Sequence, residues 1–196
     1  NPAQQIDMEG ITLDGKGGFY VASEGRTGRV IPHAIYHVSA DGVIKNRKGE
    51  IGLPAELMAV EKRFGFEGIT RVGDTLWMPV QREWKDDPKN HVKLVAYNLE
   101  TKEWGAVHYE KAEPATGWVG LSEITAHGDY AYIIERDNQH DARAVTKKIY
   151  RVALADGEKS AIEDAYIRHV ASLLHIDDIS RAQARQAAEK RIADAS

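Results

Sequence analysis

The 196-residue chain sets 26 Lys and Arg against 30 Asp and Glu, a formal net charge of -4, with 42% hydrophobic and 29% charged residues. That is the composition of a soluble globular protein with chain enough for a core, and its acidic balance, free of basic runs, disfavours nucleic acid as a partner. No apolar run is long enough to span a bilayer, and the absence of cysteine excludes disulfides, thiolate metal sites and a cysteine nucleophile.

Taken in chain order, the elements repeat. Asp7-Met-Glu-Gly-Ile-Thr12 precedes a Gly-rich turn and then Phe19-Tyr-Val-Ala-Ser-Glu24. Gly65-Phe-Glu-Gly-Ile-Thr70 precedes Val72-Gly-Asp74 and then Leu76-Trp-Met-Pro-Val-Gln81. Gly120-Leu-Ser-Glu-Ile-Thr125 precedes His127-Gly-Asp129 and then Tyr130-Ala-Tyr-Ile-Ile-Glu135. Ile11, Ile69 and Ile124 are equivalent, at spacings of 58 and 55 residues. Each segment is a short strand, a Gly/Asp turn and a β-rich strand, the signature of a hairpin.

A third strand follows in each unit: Ala34–Val38, Lys93–Asn98 and Lys148–Val152, with Tyr36, Tyr97 and Tyr150 in correspondence. A fourth is expected around Val43-Ile44 and around Glu103–Val107. Four antiparallel strands per unit are a propeller blade. The fold expected is therefore mainly β, with three blades over residues 1–159 of a ring left unclosed. A plain antiparallel sandwich would not need one hexapeptide three times. Residues 160–196 change character. Ile162, Tyr166, Val170, Leu173 and Leu174 recur at helical spacing, and a second helix is expected from Arg181 to about Asp194, so this stretch reads as a helical extension or insertion.

The repeat also places chemistry. A residue that starts the first strand of a blade and one that ends the antiparallel second strand lie at the same end. Asp7, Glu9 and Glu24 meet this condition in the first unit, Glu67 and Gln81 in the second, and Glu123, Glu135 and Asp137 in the third. These acids are expected on one rim of the channel. Gathered carboxylates repel one another, and a hard divalent cation, calcium above all, relieves them through oxygen ligands. The alternative is that each glutamate braces its own blade through backbone N–H groups. Arg26, Arg82 and Arg136 follow the second strands, where they can cradle an anionic substrate or simply pair with the same acids. No zinc spacing, P-loop or Gly-x-Ser-x-Gly elbow is present.

At these residues the sequence resembles the bacterial family called "esterase-like activity of phytase", a phytase-like β-propeller family. Asp7-Met-Glu-Gly-Ile with Gly17–Gly25, Gly65–Thr70, Tyr132–Asn138 and Lys147–Val152 carry the resemblance, over roughly residues 6 to 155. It implies a six-bladed propeller, an exported (periplasmic or extracellular) protein and calcium-assisted hydrolysis of phosphate esters. Family members are usually longer and carry a further Glu-Gly segment that is not found here, so the remaining blades are expected from the rest of the chain or from another subunit. The expectation is thus a phosphoester hydrolase with Glu9, Glu24, Glu67, Glu135 and Asp137 around the metal. Arg26, Arg82 and Arg136 would hold a small anionic substrate. The alternatives are a carboxylic ester or lactone hydrolase on the same rim, or a propeller that only binds.

Overall fold

The computed structural model describes residues 6–26, 31–44, 51–114, 116–140 and 143–153, and the backbone of Arg168–Ala171. In each unit the Gly-containing turn folds two β-rich segments back on each other. Gly73 and Gly128 take φ of 56° at the first turn position, which a side-chain-bearing residue resists. The first unit is β1 (Met8–Leu13), β2 (Phe19–Ser23), β3 (Ala34–Val38) and β4 (Ile51–Gly52). A six-residue helix, α1 (Ala55–Val60), not anticipated from the sequence, leads to the second: β5 (Thr70–Val72), β6 (Thr75–Pro79), β7 (His91–Asn98) and β8 (Trp104–Glu110). The third is β9 (Val119–His127), β10 (Tyr130–Asp137), β11 (Lys147–Ala153) and β12 (Arg168–Ala171).

The described chain is therefore mainly β: three four-stranded antiparallel sheets, each with its strands in sequence order. They stack face to face. Ala22 and Ile35 of the first sheet meet Phe66, Ile69, Met78 and Val95 of the second in one core. Val92, Leu94 and Tyr109 on the far face of the second sheet meet Leu121, Ile124 and Ile133 of the third in another. Between sheets, β1 contacts β5, and both β5 and β6 contact β9.

The Gly of the Glu-Gly pair permits that approach. A Cβ on Gly10 would lie 2.5 Å from the Cα of Gly68, and one on Gly68 would lie 2.3 Å from Oε1 of Glu123. Glu123 occupies the glycine position of the third unit. Its carboxylate turns back onto the N–H of Ile124, at 2.9 Å, and lies over Gly68.

Register supplies a feature the sequence did not reveal. In the first unit the pairing shifts between Met8 and Gly10, so that Glu9 is an extra residue in the strand. In the third unit it shifts between Ile134 and Glu135, with Ser122 as the extra residue. In the second, the bridge Phe66↔Val80 and the pair Thr70↔Trp77 are likewise one residue out of step. There Pro79 accepts the Glu67 N–H at 3.2 Å but has no N–H to return, so the ladder breaks. All three units thus bulge at one place, and a bulge re-aims the side chain it carries.

Three expectations are corrected. Ile44 makes only an isolated bridge to Val38, and the fourth strand of the first sheet is Ile51–Gly52. Tyr36 and Tyr150 do correspond, opposite Val21 and Ile133, but Val95 fills that position in the second sheet, two residues before Tyr97. Arg168–Ala171, inside the stretch expected to be helical, pairs as a strand with β11. The expected second helix, Arg181 to Asp194, lies outside the described residues, as does the rest of 160–196 apart from those four.

Candidate functional site

The bulge in β1 and the end of β2 bring three acids together. One ligand oxygen from each of Asp7, Glu9 and Glu24 lies within 4.8 Å of the others. The hairpin ladder continues past β2 through the Glu24 N–H, which donates to the Asp7 carbonyl at 2.8 Å. Glu24 is buried and accepts the Gly65 N–H on Oε1 at 3.0 Å, which ties the first sheet to the approach to the second. Burial, then repulsion from Glu9 and Asp7, pushes the Glu24 carboxyl up; burial and Asp7 push Glu9 up.

Glu67 extends the group from the second unit. Burial, followed by the charges of Glu24 and Glu9, pushes its carboxyl up to about 7. Its Oε1 accepts the side-chain amide of Gln81, whose own Oε1 is buried with no hydrogen-bond partner. An orphaned buried acceptor beside crowded carboxylates is a site short of positive charge. The donor set is all oxygen, which suits a hard divalent cation such as calcium or magnesium.

A cleft of about 530 Å³ opens beside this group. Glu24, Gln81 and Arg136 all line it. The three hold one repeat position: Glu24 and Gln81 donate their N–H to Asp7 and Gly65, and Arg136 pairs with Gly120. One position in three sheets therefore carries an acid, an amide and a base around one cleft. Arg136 lowers the pKa of both Glu9 and Glu67, and its Nε donates to Ser122 Oγ at 2.6 Å. Ser122 stands where the other units have Glu9 and Glu67.

The remaining residues singled out from the sequence fall in three places. Arg26 is spent on Asp7, with Nη2 at 2.8 Å and Nε at 3.2 Å. Arg82 lies over the rings of Phe64 and Trp118, at 4.9 and 4.8 Å from their centroids. Glu135 is fully buried and accepts Tyr109 Oη at 2.7 Å and the Ala112 N–H at 2.9 Å, so it braces the second sheet against the third. Asp137 accepts the N–H groups of Gln139, Val145 and Thr146 together with Lys147 Nζ. Those bonds hold its carboxyl well below the ordinary carboxylate range, led by the Lys147 contact, and staple the loop between β10 and β11. Neither Glu135 nor Asp137 joins the Asp7, Glu9 and Glu24 group.

The register explains Glu135. It pairs with Leu121 as Ser23 pairs with Met8, so it corresponds to Ser23 and not to Glu24. The hairpin turns show the offset: with Gly73 aligned on Gly128, Leu76 corresponds to Ala131 and Gln81 to Arg136. Setting Glu135 level with Gln81 and Glu24 therefore puts it one residue out, which in a strand is the opposite face.

Sequence reasoning assigned no role to His33 and passed over Phe64 and Trp118. Buried His33 accepts the Gly25 N–H on Nδ1 at 2.8 Å and sets Nε2 3.0 Å from the Lys62 carbonyl. Those two bonds fix the imidazole as the neutral Nε2–H form, and burial lowers its pKa in agreement. It thereby holds the segments that carry Glu24 and Phe64. The available signal was position: Phe64 lies one residue before the Gly65 segment of the repeat and Trp118 two residues before the Gly120 segment.

The fold and site define a class: an all-β repeat protein whose units gather acids at their first strands, beside a cationic and aromatic cleft. The family model described as "Phytase-like: Esterase-like activity of phytase" matches residues 1–188, and the chain belongs to that family. No curated protein and no solved structure matches it. Among the described residues, no helix is long and apolar enough to cross a membrane.

Proposed function

We propose that this chain is part of a β-propeller hydrolase of phosphate esters that works with a divalent cation, calcium by the nature of its ligands. The observation that carries the reading is the convergence of Asp7, Glu9 and Glu24 within 4.8 Å of one another, next to a cleft lined by Arg136. Support for the ring comes from three four-stranded sheets, each in sequence order, that share apolar cores face to face, the packing expected of adjacent blades.

In this reading Asp7, Glu9 and Glu24 hold the cation, with Glu67 and the free carbonyl oxygen of Gln81 beside them. Such a cation polarises a phosphoryl oxygen and makes bound water a better nucleophile. Arg136 holds the phosphate, its Nε fixed by Ser122 so that its terminal nitrogens stay free for the anion. Glu67, pushed up to about 7 by burial and the charges of Glu24 and Glu9, would be drawn down by a bound cation and held as a carboxylate beside it. Arg26 keeps Asp7 in place, while Glu135 and Asp137 brace the scaffold. An all-oxygen site of this kind suits a calcium-rich periplasmic or extracellular setting, and we place the protein there.

The test is hydrolysis of an aryl phosphate by the full-length protein with calcium, after exhaustive chelation, and in Glu9→Gln and Glu24→Gln. The expected result is activity lost on chelation and restored by calcium, with each variant reduced by roughly a hundred-fold or more. Activity indifferent to chelation overturns the metal-assisted mechanism. Turnover of carboxylic esters or lactones but not of phosphates overturns the substrate assignment.

A further inference from the structure

We propose that Phe64 and Trp118 form an aromatic subsite that selects small anions carrying an aromatic ring, which are aryl phosphomonoesters if the phosphoester reading, on which this inference rests, is right. The cleft of about 530 Å³ is the size of a small-molecule site, and a lone phosphate group would fill little of it. Something other than the phosphate has to occupy the rest.

Phe64 and Trp118 line that remaining space. Their ring centroids lie 5.9 Å apart with planes inclined at 47°, so the two rings are in tilted contact and form one aromatic wall of the cleft. Arg82 lies over both rings, Arg63 sits 5.1 Å from the Phe64 centroid and Arg136 5.7 Å from the Trp118 centroid, so guanidinium groups edge the wall. Rings hold a guanidinium in orientation without neutralising it. Among the described residues, the arginine ion pairs are Arg26 with Asp7 and Arg71 with Asp74. Arg136 acts on Glu9 and Glu67, and Arg82 on Glu83, only at longer range, which leaves both guanidinium groups without a close carboxylate partner. Both rings are only half-buried, which leaves ring surface for a flat ligand.

The wall is built in advance. The Trp118 N–H donates to Asn138 Oδ1 at 3.1 Å, and the Asn138 N–H donates to the Trp118 carbonyl at 3.1 Å. Phe64 has φ of 70°, a left-handed conformation that a bulky residue adopts at a cost. A connecting segment that needed only this bend would be better served by glycine. Strain retained where a ring faces a cleft points to the ring as the reason for the residue.

The experiment is calorimetric binding of phenyl phosphate, glycerol phosphate and benzoate to the full-length protein in calcium, repeated with Trp118→Ala and Phe64→Gly. The second variant removes its ring while relieving the backbone, so it guards against a folding artefact, and thermal melting checks both. Phenyl phosphate should bind roughly ten-fold tighter than glycerol phosphate, the scale of a ring–ring contact with a desolvated anion beside it. Each variant should erase most of that preference. Equal binding of the two phosphates by the wild type, or a preference that survives both substitutions, overturns the subsite and leaves the phosphoester reading standing. Benzoate binding as tightly as phenyl phosphate, with the affinity lost in both variants, supports the subsite and overturns the phosphoester reading. Binding of none of the three overturns both.

Discussion

Glu67 is the residue whose charge state the site controls most directly. Burial and the neighbouring carboxylates lift it to about 7 from the ordinary 4.5. The folded chain thus retains a proton that the unfolded chain has already released across that interval. Stability should fall as the pH rises from about 4.5 to about 7 and then level off. Glu9 and Glu24 are shifted in the same direction and add to the slope. Asp14 and Asp137 are shifted downwards and act only below the usual aspartate range. Buried His33, shifted down from 6.5, contributes an opposite slope below about pH 6.5, so the Glu67 share is read from the comparison with Glu67→Gln. Denaturant titrations near pH 5 and near pH 8 should differ by about 1 kcal/mol after allowance for solvent screening. Glu67→Gln should flatten the difference, and excess calcium at the higher pH should reverse it. A second residue-scale prediction separates bracing from ligation. Glu135→Ala should cost about 2–3 kcal/mol, because Tyr109 and the Ala112 N–H lose a buried acceptor, yet calcium affinity should stay within about two-fold of the wild type. A large loss of affinity in a folded Glu135→Gln protein would return that residue to the metal.

At the scale of the elements, equivalent residues have unequal burial. Ile69 and Ile124 are 2% and 3% exposed between sheets, whereas Ile11, at the same repeat position, is 62% exposed. Ile69→Ala should therefore cost about 2–4 kcal/mol and Ile11→Ala well under 1 kcal/mol, read by denaturant unfolding. A sequence repeat shows which residues correspond but not what packs on each copy. That distinction marks what was legible beforehand. The hairpins around Gly73 and Gly128 and the third strands were readable, because turn glycines and β-branched runs are local signals. So was the pairing of Glu9 with Glu24, which depends on one hairpin. The bulges were not, since one surplus residue in a strand leaves no mark in composition. Glu135 was misplaced by starting the third unit's second strand at Tyr130, where Ala131 is the residue that corresponds to Phe19 and Leu76. Phe64 and Trp118 were missed because aromatic residues in connecting segments look like ordinary core. Val170 was misread because four residues of an edge strand fit a helical spacing as well as their own.

For the molecule as a whole, a cation held between the first strand and the end of the second should stabilise the folded form by mass action. At a free calcium concentration about a hundred times the dissociation constant, the gain is about 2.7 kcal/mol, which for a chain of this size raises the melting temperature by roughly 5–10 °C. Chelator should remove the whole increment, and Glu9→Gln with Glu24→Gln should abolish it. The stacking of the sheets has another consequence, which concerns modularity. Gly10 faces Gly68 and Gly68 faces Glu123 at distances that leave no room for a side chain on either glycine. The three units look interchangeable in sequence, but they are not interchangeable in order. A chimera that placed the third unit ahead of either of the others would drive a glutamate into the backbone of its neighbour. Shuffling, duplication or circular rearrangement of these blades is permitted only where a glycine-bearing unit precedes, so the order of the units is written into a single atom's worth of space.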